Sequence, residues 1–220
     1  MDYSPLLLSL ETAVIAMVIA GVIGVGIAIV LANFRFPGRD LIDVVTTWPL
    51  VMPPTVLGYY LLVVVGTRSP IGRAFDAVTG SSIVFTFHGV VLAAVVGSLP
   101  LVVKTTRTAL EEIDPTLVVA ARTLGATRLR AILSVQLPLA YRGVVAALML
   151  AFAKSTGDFG ITLMVAGNIP GKTRTAALAI FDDLQAQRND EAFTLAAIVT
   201  IVVSALLYVV AKLTAREHAR

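Results

Sequence analysis

Long apolar stretches separated by shorter polar ones divide this chain. Residues 12–34 hold 23 consecutive uncharged positions, residues 44–66 and 83–103 repeat the pattern, and residues 192–211 add 20 more. About 20 apolar residues suffice to carry a helix across a bilayer core, so each run predicts a membrane span. Residues 143–166 predict another, although Lys154 and Asp158 interrupt it. In the first run Ala16, Ala20, Gly24, Ala28 and Ala32 recur every four residues. Such a stripe of small side chains lets a second helix approach closely. The second run contains Pro49, Pro53 and Pro54. Proline removes a donor and clashes with the preceding turn, which predicts a bend or an unwound segment there. Met1–Leu10 lacks Lys and Arg, so the first run is expected to be a retained span rather than a cleaved signal.

The polar segments are short. Residues 34–43 (FRFPGRDLID) read as a turn and residues 67–82 as a loop. Residues 167–191 form a longer loop, in which Asn168–Gly171 signals a turn and Leu178, Phe181 and Leu184 predict a short helix resting on the membrane surface. Residues 110–138 differ from all of these, being polar and rich in arginine. Asp114 can cap a helix that Pro115 begins, Gly125 can end it in the left-handed conformation, and Thr127 can cap a second one. In that second helix Leu129, Ile132, Leu133 and Gln136 share a face until Pro138 breaks it. Two short helices joined by a turn are expected.

Composition agrees with a membrane protein. Of 220 residues 57% are hydrophobic and 14% charged, with a mean hydropathy of +0.90. Soluble domains carry roughly 25% charge. There is no cysteine, which excludes disulfides, thiol catalysis and Cys-ligated metals. With only His88 and His218, and no H-E-x-x-H pattern, no catalytic or metal-binding residues are expected. The G-x-x-x-x-G-K-[ST] phosphate loop is also missing, so ATP hydrolysis by that route would need a partner. The small net charge of +3 is distributed unevenly. If residues 110–138 face the cytoplasm, so do Arg35, Arg39, Lys104, Arg107, Arg122, Arg128, Arg130, Arg142, Lys212, Arg216 and Arg220. Arg68, Arg73, Lys172, Arg174 and Arg188 then lie outside. Eleven cations against five fit the positive-inside rule better than a nucleic-acid surface, and put the N-terminus outside and the C-terminus in the cytoplasm.

Two groups of residues are candidates for chemistry. Lys154 and Asp158, four apart, can pair on one helix face beside Ser155 and Gly157. Charges inside a span usually face a bundle interior or a water-filled cavity. That face, with the bend at Pro53 and Pro54, is the candidate pathway, and a structural pair locking two helices is the alternative. His88, near the outer end of its run, needs no more than an interfacial hydrogen bond.

In residues 110–138, Ala120, Ala121, Gly125, Val135, Leu137 and Pro138 are spaced as in the cytoplasmic loop of ABC importer permeases. The loop there runs Glu-Ala-Ala, three residues, Gly, nine residues, Ile-x-Leu-Pro. Val119 stands at the family's Glu position. PLVMPPTVLGYYLLVVVG at residues 49–66, KSTGDFGITL at 154–163 and GNIPGKTRT at 167–175 resemble the molybdate branch, as does FPGRDLID. Sulfate and tungstate permeases share much of this, and GNIPGKTRT tilts the resemblance to molybdate. The resemblance implies an all-α membrane protein, a single permease domain over residues 1–220 with the five spans of the type I importer fold and a cytoplasmic coupling helix. It implies a bacterial or archaeal cell (inner) membrane, a second copy of the chain, two ATPase subunits that bind ATP and Mg, and an extracytoplasmic oxyanion-binding protein. Val119, Ala120, Ala121, Gly125, Ala126, Leu137 and Pro138 would couple to the ATPase. Lys154, with outer-loop Asn168, Lys172 and Arg174, would meet the oxyanion. A stand-alone channel or scaffold subunit remains the alternative, and would show no dependence on an ATPase.

Overall fold

The computed structural model describes residues 3–215, and among them every regular element is a helix. Arg216, His218 and Arg220 lie outside the described residues. Chain order gives α1 (Ser4–Asn33), α2 (Arg39–Val51), α3 (Pro54–Val65), α4 (Pro70–Thr79), α5 (Phe87–Glu111) and α6 (Pro115–Thr123). There follow α7 (Arg128–Ala131), a π turn (Ile132–Gln136), α8 (Leu137–Leu139), α9 (Tyr141–Thr156), α10 (Gly160–Ala166), α11 (Ala176–Gln185) and α12 (Asn189–Ala215). The helices α1 and α5, and α12 over Asn189–Val209, are each long and apolar enough to cross a membrane. Two bent pairs reach that length together, α2 with α3 at 119° and Arg128–Leu139 with α9 at 72°.

The centre is a three-helix packing of α1, α5 and α9 built on small residues. Ala16, Ala20, Ala94, Ala147 and Ala151 are buried together with Val102, and a Cβ on Gly24 would meet Val102 Cγ1 at 2.8 Å. With lipid tails as apolar as leucine, close backbone approach of this kind supplies the helix contact that hydrophobic burial supplies in water. A second cluster, with Val65, Ile83, Ala93, Ile161 and Val165, holds α3 and α10 against α5.

Several elements differ from what the sequence pattern predicts. The run at 143–166 is two helices, because the chain leaves α9 after Thr156 and restarts at Gly160. Residues 67–82 contain α4, which Ser69 caps by accepting from Gly72 N at 2.9 Å and Gly80 closes in the left-handed region at φ +67°. Pro138 does not end the helix it sits in. Upstream, Leu137 N–H reaches back five residues to Ile132 O, and this wider turn leads into α8, so the bend falls after Ala140. Of the face expected on residues 129–136, only Ile132 and Gln136 are buried, whereas Leu129 and Leu133 are exposed.

Polar contacts mark the two ends of the bundle. At one end Lys104 Nζ lies 2.7 Å and Arg107 Nη1 3.1 Å from Asp43 Oδ1, Arg107 Nε lies 2.8 Å from Glu111, and Arg39 Nε donates to Leu31 O at 2.8 Å. These contacts fasten α2 to the ends of α5 and α1. At the other end Ser9 Oγ accepts the α11 amide of Ala176 at 2.8 Å, and Phe85 N–H donates to Val165 O at 3.1 Å. The expected helix at residues 178–184 is α11, with Leu178 buried within the protein.

Candidate functional site: two interrupted helices and an exposed elbow

The break between α2 and α3 at Met52–Pro53 and the break between α9 and α10 at residues 157–159 lie side by side. Direct contact confirms it, since a Cβ on Gly160 would sit 2.7 Å from Pro54 Cβ. On Gly58 one would sit 2.7 Å from Met164 Cβ. Glycine at both positions is what allows α3 and α10 to touch. α5 closes the third side, where a Cβ on Gly97 would meet Ile161 Cδ1 at 3.1 Å and Asp158 Oδ1 at 3.6 Å.

Asp158 sits in this junction with 3% of its side chain exposed. Its Oδ2 accepts from Thr162 N–H at 3.0 Å and from Thr162 Oγ1 at 2.7 Å. These two bonds cap the start of α10, which explains why the chain can restart a helix after the break. Oδ1 accepts no hydrogen bond and lies 3.5 Å from Lys154 Nζ. The four-residue spacing does bring lysine and aspartate together, but across the end of α9 rather than along one helix. Lys154 keeps 39% of its side chain exposed, and Ser155 Oγ approaches Ala94 O at 3.5 Å. The partner that spacing alone misses is Thr162. Its signal is a Gly-Asp pair followed by a Thr four residues later, the pattern of a helix end and a new cap.

In residues 110–138 the local geometry follows the cap residues. Asp114 Oδ1 accepts from Thr116 N–H at 2.9 Å, a bond that holds its carboxyl below the usual carboxylate range. Gly125 takes φ +93° with open space around it, Ala126 N–H returns to Ala121 O, and Thr127 Oγ1 accepts from Arg130 N–H at 3.3 Å. The outside of the resulting elbow mixes exposed apolar side chains with the exposed Arg122, Arg128 and Arg130. Val119, Leu117 and Leu129 are exposed, and Leu124 keeps 89% of its surface, while Ala120 and Gly125 lie open beside them. Leu137 is part-buried and packs with Ala28, Leu110 and Ala140, so it and Pro138 belong to the root of the elbow. Arg128 ties the elbow to α1, donating to Asn33 O and lying over the Phe34 ring at 4.4 Å.

Of the residues expected in the outer loop, Asn168 and Arg174 form a separate cluster. Arg174 Nη2 pairs with Asp182 at 2.8 Å and its Nε donates to Asn168 at 3.1 Å, while Asn168 Nδ2 donates to Asp182 at 2.7 Å. The charge of Arg174 is thus balanced inside the loop, whereas Lys172 is exposed. His88 stands edge-on to the Phe75 ring at 5.5 Å. No group of three or more metal-ligating side chains occurs among the described residues.

The interrupted helices and exposed elbow among the described residues agree with the sequence kinship of the chain. The profile of the family described as binding-protein-dependent transport system inner membrane component matches residues 10–218. The chain belongs to that family. Among its relatives is the molybdenum transport system permease protein ModB of Escherichia coli K12, 38% identical over 215 residues, which cover 98% of this chain and 94% of that protein. The sulfate transport system permease protein CysT of Salmonella typhimurium is 34% identical over 208 residues, covering 94% of this chain and 75% of that one. In fold, this inner membrane component is similar to the MetNI methionine ABC transporter in an inward-facing form, with a TM-score of 0.74 at 18% identity over 96% of this chain and 93% of that chain. The fold class expected from sequence, the helical type I importer permease, is the one found.

Proposed function

We propose that this chain is the permease subunit of an ABC importer that carries molybdate across the inner membrane. It works as a homodimer with two ATPase subunits and receives the oxyanion from an extracytoplasmic binding protein. The observation that carries the reading is kinship to ModB over nearly the full length of both chains, whereas the sulfate permeases are matched over three quarters or less of their own length. The elbow at residues 115–139 supports it physically. A solvent-exposed set of Leu117, Val119, Leu124 and Leu129, held by two capped helices, is what a separate motor subunit can grip. With the elbow in the cytoplasm, the end of the bundle bearing Arg39, Lys104, Arg107 and Arg128 is the positive one.

In this reading Val119, Ala120, Ala121, Gly125 and Ala126 meet the ATPase, and Leu137 and Pro138 pass its movement into α9. ATP-driven closure of the motor subunits shifts the elbow as a lever, and the interrupted pairs α2–α3 and α9–α10 exchange inward-open and outward-open arrangements. Lys154, Ser155, Asp158, Pro53 and Pro54 border the path. Asn168, Lys172 and Arg174 shape its outer approach. A permease that must release its cargo needs few cations, which fits the sparse charge at this depth.

The test is ATP-dependent uptake of molybdate by proteoliposomes holding this chain, its ATPase and its binding protein, with sulfate and tungstate as competitors. Molybdate uptake that sulfate does not inhibit is expected. Gly125→Val forces a β-branched residue to positive φ, at about 1–2 kcal/mol. It should lower ATPase co-purification and uptake by roughly tenfold while leaving membrane insertion unchanged. Uptake equal to wild type would sink the assignment of the elbow.

A further inference from the structure

The junction holds an asymmetry that the permease reading does not use. Asp158 is fixed: it is buried, and Oδ2 is held by both the amide and the hydroxyl of Thr162. Lys154 is not fixed. Among the described residues its only ion-pair partner within 4 Å is Asp158 Oδ1 at 3.5 Å, which accepts no hydrogen bond, and more than a third of the lysine side chain is exposed. One carboxylate oxygen is therefore committed to α10 and the other left facing a movable ammonium. A charge at this depth that faced lipid would be costly, so the exposed lysine head belongs beside water or protein.

We infer that Lys154 and Asp158 form a counter-ion exchange site for a tetrahedral dianionic oxyanion, in which Lys154 is the mobile cation and Asp158 the fixed competitor that limits how tightly the anion is held. This rests on the permease reading above and assigns the two charges different roles within it. An arriving dianion draws the ammonium away from Oδ1, because two negative charges attract it more strongly than one. Asp158 stays where it is, since Thr162 rather than Lys154 holds it. Its carboxylate then repels the anion beside it and attracts the lysine back, and both effects shorten the anion's stay. No covalent bond forms or breaks. Lys154 is the group that touches the cargo, while Asp158 acts on it both by direct repulsion and by drawing the lysine back.

The two residues consequently predict opposite changes in affinity. The permease–ATPase complex in detergent, without the binding protein, is titrated with radiolabelled molybdate, and uptake is then measured in proteoliposomes with the binding protein present. Asp158→Asn is nearly isosteric and keeps an oxygen that can accept from Thr162, so α10 stays capped. It should tighten molybdate binding roughly tenfold or more, the scale on which a charge within 4–6 Å shifts a neighbouring equilibrium, and lower maximal uptake. Lys154→Met should weaken binding by at least about tenfold, and Lys154→Arg should restore most of it. A pair serving only to lock two helices together would instead give loss of assembled complex, with unchanged or weaker binding in both variants. Equal affinities in wild type, Asp158→Asn and Lys154→Met would overturn the exchange site while leaving the permease reading intact. Absence of molybdate uptake by the wild-type complex would overturn the permease reading itself.

Discussion

At residue scale, glycines decide how near the two interrupted helices come. A Cβ on Gly160 would sit 2.7 Å from Pro54 Cβ, and a proline ring cannot rotate out of the way as a long side chain would. Gly160→Ala should therefore force α3 and α10 apart and destabilise the protein by about 1–3 kcal/mol, the usual cost of overpacking. A lower Tm of the detergent-extracted protein would report it. Gly26, within α1 and with nothing within 4 Å of its Cβ position, is the control. There alanine should be neutral or stabilising by up to about 1 kcal/mol, since it removes only backbone freedom. If both substitutions lowered Tm alike, the close approach at Gly160 would not be what holds the junction. The sequence shows Gly157, Asp158 and Gly160 within four positions, which marks a weak point in a helix. It does not show that Pro54, more than a hundred residues earlier, is the surface that the glycine admits, because such a contact depends on the bend of another helix.

At the scale of elements, capping residues were the legible part. Asp114, Pro115, Gly125 and Thr127 each occupy the position in α6, the turn and α7 that their side chains favour, because a cap is a local contact between neighbours. Ser69, Pro70 and Gly80 carry the same signals around α4, and a segment read as loop for its Pro and Gly residues proves to be a helix. The buried face of residues 129–136 was less legible, since it depends on Gln136 Nε2 finding Leu110 O at 3.0 Å across the fold. The Asp114 cap has a pH dependence of definite sign. Its carboxyl is lowered in the folded protein, so the cap contributes above the ordinary aspartate value of about 3.9. That contribution is lost as pH falls through the lower folded value. Once corrected for intrinsic rates, hydrogen exchange of the first α6 amides should be flat from neutral pH to about 5 and gain no protection at acid pH. Protection that increased on acidification would contradict the cap.

At the scale of the whole molecule, the helical class and the position of the elbow follow from apolar run lengths and one polar interval. The clamp of Asp43 with Lys104 and Arg107 does not, because its members stand 61 and 64 residues apart and nothing in their local sequence pairs them. Orientation is the property of the whole chain that one experiment reads. The chain has no cysteine, so single cysteines introduced at Leu124 and Lys172, both exposed, make clean reporters. An impermeant thiol reagent applied to intact spheroplasts should label position 172 and spare position 124 until the membrane is opened. The reverse pattern would invert the topology. One further consequence lies in the bond between Ser9 Oγ and the Ala176 amide, which joins positions 167 residues apart. Helix α1 gains this bond only after Ala176 has been made. Assembly is therefore completed late, and a chain truncated before residue 176 would leave the start of α1 exposed to membrane quality control.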